Sequence, residues 1–416
     1  MTRASRRTQR PLATKAGAAA FLMAAAAACW AGDNFSYTAT VNSNSVYKGF
    51  AKVDDFLKGF DQAAIESLFA GYTTADAASF SASFRGIPVN VAFPTGGSSL
   101  LTFAVPSLGI SESFTGATRD ESQSQLEDYL KKNGSNILGR LMKEAARVSP
   151  NDPVAGNPGS LMGTMVATSF DSAFTAQGSQ IVSGPPLPGD QSNQLGIGLR
   201  FGSYRMNDVR SSTSTIPLSY TWRFDSDPRK QVVLNMPFTI GSSQGAKMGN
   251  FAPSLSFRMP VTNRWSLTPT VGYGAAGSLD LGSVAQIVNG SLMSVYTFPV
   301  GNWSVSVGNM AGYYKTVKVS AGDFAADPGL SNMVYRNGIM IAQPVNLFGG
   351  DKIIEYSIVD TRYAGSALFM KWYDEAGITI GTARGRDGLR SYLRAGVSYL
   401  WSAGSSGFSM KFGYWF

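Results

Sequence analysis

Six basic residues stand where chemistry could be done. Arg200, Arg223, Arg258, Arg390, Arg394 and Lys411 fall in the inward register of segments that alternate apolar and polar, all but Arg390 between two apolar neighbours. In an extended strand that alternation sends them to one common face. Six cations on the inner face of a closed sheet would make a basic lumen that favours anions. Equally, such a lumen fills itself with charged and hydrogen-bonding side chains that pair with acids, and Glu355 stands in the same register.

Catalytic chemistry has little to work with. The chain has no histidine, which removes Ser-His and Asp-His hydrolysis and histidine-ligated metals. The one cysteine, Cys29, lies in the N-terminal apolar run. Asp54-Asp55 and Asp374-Glu375 are adjacent pairs that would point opposite ways on a strand, and both are read as solvated. No Gly-rich phosphate loop has the required strand and helix around it. The chain is therefore read as non-enzymatic, with no cofactor and no metal.

The elements that would hold the basic residues are strands. Leu195, Ile197, Leu199 and Phe201 alternate with Gly196, Gly198, Arg200 and Gly202, and the same rhythm recurs to the end of the chain. The final segment shows it most clearly. Phe408, Met410, Phe412, Tyr414 and Phe416 take alternate positions, with Ser409, Lys411 and Gly413 between them. About eleven such strands are visible and an even number is expected, so twelve fits best. Their length of about 9–13 residues suits a tilted membrane span. Six of the seven tryptophans lie beyond residue 220, close to turns, where an interfacial girdle would sit.

The rest of the chain has a different texture. Residues 1–31 carry five basic residues and then the apolar run Ala16–Ala31, which reads as a secretory signal cleaved after Ala31. Twin-arginine export through Arg6-Arg7 and lipidation of Cys29 are alternatives. Without this leader the balance is 30 basic against 27 acidic residues, a net of +3, so nucleic acid is not expected as a partner. Residues 32–148 read as a small α+β domain: a helical pattern from Val53 to Leu68, three strands between Phe80 and Val105, a helix broken at Asn133-Gly134, and a second one capped by Ser135. The charges Arg140, Lys143, Glu144 and Arg147 read as a solvated face. Residues 149–193, rich in Pro, Gly, Ser and Asn, read as a linker with a short segment near Leu161–Phe174.

Residues 194–416 resemble bacterial outer-membrane barrels, and among them the autotransporter-type β-domain. The resemblance rests on about twelve C-terminal strands, an exported N-terminal region and the closing strand Phe408–Phe416. It implies an all-β transmembrane antiparallel barrel preceded by a small α+β region, placed in the outer membrane and in contact with its lipid. It also implies that the barrel-assembly machinery reads the terminal strand, with Phe412, Tyr414 and Phe416 as its signal. Two features depart from the family: no repetitive passenger is visible in 32–192, and no helix is visible just before Leu195. A solitary barrel acting as a structural anchor or pore fits best. A diffusion porin for small anionic solutes, or an adhesin or translocator presenting the N-terminal region, are the alternatives.

Overall fold

The computed structural model describes residues 33–60, 62–182, 193–321, 324–347, 350–382 and 392–415. The expected leader with Cys29, together with Arg390 and Phe416, lies outside these residues. The chain from Asp33 onward forms one compact unit.

Its N-terminal part is a six-stranded antiparallel sheet with helices. β1 (Phe35–Val41) and β2 (Asn44–Phe50) lead into α1 (Val53–Lys58) and α2 (Gln62–Leu68). Then come β3 (Ala78–Phe84), β4 (Ile87–Phe93), β5 (Leu100–Val105) and β6 (Ile110–Thr115), in the sheet order β2-β1-β3-β4-β5-β6. The expected meander is β3–β5. The edge strands β2 and β6 escaped the alternation test because they bury little. A single α3 (Arg119–Val148, 30 residues) replaces the two helices expected. Asn133-Gly134 does not break it: the Asn133 side chain donates back to the Tyr129 carbonyl (3.0 Å), and no group lies within 4 Å of where a Cβ on Gly134 would be. Ser135 is thus interior, and the N-cap is Thr118, whose hydroxyl accepts the Glu121 N–H.

The C-terminal part is a closed barrel. Its strands are β7 (Gln194–Met206), β8 (Val209–Phe224), β9 (Asp227–Ser243), β10 (Ala246–Phe251), β11 (Ser254–Pro260), β12 (Trp265–Ser278), β13 (Ser283–Val300) and β14 (Trp303–Val317). After a small hairpin of β15 (Val319–Ala321) and β16 (Phe324–Ala326) come β17 (Ser331–Leu347), β18 (Gly350–Gly365), β19 (Trp372–Thr382), β20 (Tyr392–Ser402) and β21 (Ser405–Trp415). β10 and β11 both pair with β9 and β12, so they are one span interrupted at Ala252-Pro253, where proline has no N–H to give the ladder. β21 pairs with β7 from Ser405↔Met206 to Trp415↔Gly196. This last pairing closes a ring of twelve antiparallel spans and leaves it no edge.

Several strands exceed the expected length, β13 reaching 18 residues. The reason lies on the outer surface. Large apolar side chains face outward near the end that carries the chain termini of the barrel. Farther along, polar residues interrupt them on β14 and β17–β19, where Asn309, Asn337, Asp360 and Asp374 stand side by side, while β9 and β13 keep Ile240, Val284 and Val288 outward. Ser203 and Ser214 mark the same change on β7 and β8. On these strands the outer face turns polar before the far end is reached.

The N-terminal domain docks on that far end. Leu281, in the β12–β13 turn, is fully buried in a cluster with Phe35, Tyr37 and Phe56. The Val53 N–H donates to the Asp280 carbonyl (2.8 Å), and the Asn34 side chain reaches toward the β9–β10 turn. The Arg85-Gly86 turn of β3–β4 drives the Arg85 guanidinium onto Asp152 (2.6 Å), with both side chains essentially sealed from water. Asp152 also accepts the Val154 and Ala155 N–H groups, so the buried charges are shared among several donors.

Two outcomes follow for this interface. Asp152→Ala strands a buried guanidinium and should cost about 3–5 kcal/mol, seen as faster proteolysis of residues 33–148 with barrel gel mobility unchanged. The Lys247 backbone N–H, assisted by Lys52, holds the Asp280 carboxyl below the usual carboxylate range. Its contribution is complete above about pH 4 and fades as pH falls through the lower folded value. Protection of the Val53 amide, taken relative to the intrinsic exchange rate at each pH, should fall in that acid range, and Asp280→Asn should abolish this change in protection.

Candidate functional site in the barrel lumen

A sheet of twelve strands encloses more space than its own side chains fill. Here a helix takes up part of it. Residues 150–182, expected as linker, instead form a buried connector followed by the 22-residue α4 (Leu161–Val182). At about 33 Å long, α4 could run much of a membrane's thickness. It lies in the lumen, just before β7, where no helix was expected; Gly184–Gly189 of the same stretch lies outside the described residues. The sequence concealed it because α4 is apolar on one side without a charged opposite side.

The apolar side packs against β12, β13, β14 and β17. Leu161, Met165, Val166, Phe170 and Phe174 are buried together with inward residues of the wall such as Ala276, Ile287, Met293 and Val334. The wall is shaped to receive them. A Cβ on Gly274 would lie 2.6 Å from the Leu161 side chain, one on Gly308 2.6 Å from the Phe174 ring, and one on Gly338 3.0 Å from the Phe170 ring. Side chain and glycine interlock, which is how close-packed interiors gain their dispersion energy.

Above the helix, the connector Asn151–Ser160 is buried along almost its whole length. It is held at both sides: the Phe369 N–H donates to Ala146, the Met370 N–H to Gly156, and the Asn151 side chain to Asn34. Gly156 adopts φ +89°, and a Cβ there would collide with the Ala146 carbonyl at 2.7 Å. Domain, connector and helix are thus continuous with the barrel interior.

The other side of α4 faces a cavity of about 250 Å³ bounded by β7–β9, β11 and β17–β21. Arg200, Arg223, Arg258, Arg394 and Lys411 all line it. Asp171 on the helix takes both Arg200 (2.7 Å) and Lys411 (3.3 Å), which are register partners on β7 and β21. Arg394 pairs with Glu355. Arg258 donates to the Gln231 side chain (2.7 Å) and to the Ser172 carbonyl (2.5 Å), and Arg223 donates to Gln194 (3.1 Å). Some of the acids that a self-neutralising lumen requires are therefore present, and one of them comes from the helix.

Sequence reasoning missed the most buried member. Arg336 on β17 is 2% exposed. It pairs with Glu375 (2.5 Å), donates to Thr361 and to the Tyr373 hydroxyl, and lies 5.0 Å from the Phe170 ring centre. The signal was available, because Ile339 and Ile341 face outward and even positions on that strand must face in. Glu375 corrects a second reading: it is not solvated but turned into the lumen, while its neighbour Asp374 faces out. Asp54 and Asp55 stand in the first turn of α1. Arg140 donates to the Leu108 carbonyl, and Arg147 pairs with Glu144 at 2.5 Å.

The terminal strand presents its apolar face outward. Phe408, Met410, Phe412 and Tyr414 are all exposed on the barrel exterior, Phe408 at 64%. With the outward residues of the other strands they form the belt that a lipid-embedded barrel needs. Among the described residues no helix is long and apolar enough to cross a membrane.

No family model matches the chain, and no curated protein matches it. Solved structures do. The β-domain of the Bordetella autotransporter BrkA is 13% identical, with a TM-score of 0.43, over 54% of this chain and 98% of that one. The translocator domain of autotransporter NalP from Neisseria meningitidis is 13% identical, with a TM-score of 0.42, over 62% and 96%. The KdgM porin is 8% identical, with a TM-score of 0.33, over 53% and 98%. These are likenesses of fold. The C-terminal region is a closed antiparallel barrel of twelve spans, and its similarity to these structures is one of fold alone.

The interlock between helix and wall can be tested directly. Gly308→Leu forces bulk against Phe174 and should destabilise the barrel by about 1–3 kcal/mol, lowering the temperature at which its gel mobility shifts. Gly290→Leu, on the outer surface with no atom within 4 Å of its Cβ site, should leave that temperature unchanged.

Proposed function

We infer that this protein is a self-plugged outer-membrane anchor that presents residues 33–148 on the cell surface. One observation carries the reading: α4 is keyed into glycine sites of the wall and is continuous, through a buried connector, with the docked domain. A diffusion porin needs a continuous aqueous path. Here the connector and the cluster of Tyr204, Met206, Met370, Tyr373 and Leu400 occupy the domain end.

The strands support this sidedness. An even number puts both barrel termini at one end, which in bacterial barrels is the periplasmic one. The opposite end, toward which the outer face of β14 and β17–β19 turns polar and where the domain docks, then faces outward. The chain does no catalysis, and assembly uses the terminal strand, with Phe412 and Tyr414 on the outward face of β21 and Phe416 as the residue that follows it.

Reconstituted in a planar bilayer, the whole protein should pass no steady current, and a stable open conductance would contradict the anchor reading. On intact cells, added protease should cleave within residues 33–148. Cleavage only after the outer membrane is permeabilised would place the domain on the other side.

A further inference from the structure

A pair of amides breaks the apolar outer face of β14 and β17. Asn309 and Asn337 are register partners, and both are exposed on the barrel exterior. Along β14 the next outward residues are Val307 and Ala311; along β17 they are Ile339 and Tyr335. On the flanking strands Leu292 and Ile358 stand outward, diagonal to the pair. The face stays apolar farther out, with Val305 and Ile341 toward the termini end and Tyr313 and Met333 toward the far end. The Tyr313 hydroxyl is itself paired, with Ser331 (2.7 Å). The amides therefore lie inside the apolar belt and not at its rim.

The two amides satisfy each other only in part. Asn309 Nδ2 donates to Asn337 Oδ1 (2.8 Å). Asn309 Oδ1, an acceptor, and Asn337 Nδ2, a donor, have no partner among the described residues. Turning both amides over exchanges their roles and leaves the same surplus of one acceptor and one donor group. Their outward polar neighbours are better served: Ser294 accepts the Trp265 indole N–H (3.0 Å), and Asp360 pairs with Arg362 (2.7 Å). Hydrocarbon has no water to take up the free groups, so leaving them unpaired costs free energy.

A second copy of the same surface supplies what is missing. A two-fold axis along the membrane normal keeps both copies the same way up. It sets Asn309 of one copy opposite Asn337 of the other, and the reverse, so each free acceptor meets a free donor. We propose that the outer face of β14 and β17 is a homodimer interface within the membrane, with the four amides at its centre. Val307, Ala311 and Ile339 close around them and exclude lipid. Amide side chains join membrane segments in this way because lipid offers them no competing partner. The interface requires only that these strands lie in lipid, so it stands or falls separately from the anchor reading and its sidedness.

The test is sedimentation equilibrium of the purified full-length protein in density-matched zwitterionic micelles, over a wide range of protein-to-detergent ratios. Wild type should pass reversibly from monomer to dimer as the ratio rises and form nothing larger. Because no other chain is present, a dimer can only be a second copy. The double variant Asn309→Leu, Asn337→Leu should raise the dissociation constant by about tenfold. Leu199→Ala, on β7 across the barrel, should leave it unchanged. Heat-modifiable gel mobility shows that each barrel is intact. A wild type that stays monomeric at the highest ratio, with or without glycolipid carried along, would overturn the proposal. So would an unchanged dissociation constant in the intact double variant. If the double variant loses its gel shift, Asn337→Leu alone decides by the same criterion.

Discussion

The structure depends on one packing contact, the apolar side of α4 against β12–β14 and β17. A ring of twelve strands satisfies every backbone group in the sheet but cannot fill its own centre. The choices are water or a plug. Phe170 and Phe174 settle the matter here because each ring rests against a glycine of the wall. Once the helix is seated, the connector must follow the lumen axis, and the domain must lie over the far rim.

The electrostatics follow from that eccentric position. With the helix pressed to one side, the remaining half of the lumen faces the strands where the barrel closes. Those strands carry the cations. Asp171 reaches across from the helix to Arg200 and Lys411, joining first and last strands through a single carboxylate. Arg336 performs the complementary task from the wall, lying beside Phe170 while paired with Glu375. Apolar packing fixes where the helix sits, and these charges fix its rotation about its own axis.

Much of this was legible in the sequence, for a physical reason. Strands in a barrel have one lipid face, so Phe408, Met410, Phe412 and Tyr414 must alternate strictly, and the inward register of Lys411 follows. The twelve spans and their basic inner face could be read from that rule alone. The helix could not. Its partners are glycines and alanines of the opposite wall, and small residues leave no mark in a hydropathy pattern. Nor could the buried connector, whose Asn, Asp, Pro and Gly look like a solvated loop until Arg85, Asn34 and the neighbouring carbonyls take up its polar groups. Arg336 and Glu375 were within reach of the alternation rule but were obscured, one by a weak strand signal and the other by an acidic neighbour facing out.

The central claim is that α4 occupies the lumen in the assembled membrane protein. A Cβ on Gly308 would lie 2.6 Å from the Phe174 ring, so cysteines at the two positions would face each other across this contact. The decisive measurement is spontaneous disulfide formation in native outer membranes by the double variant Phe174→Cys, Gly308→Cys. The account requires near-complete cross-linking, with fragments cut between helix and barrel staying joined until reduced. Two free thiols that react fully with a maleimide would contradict it.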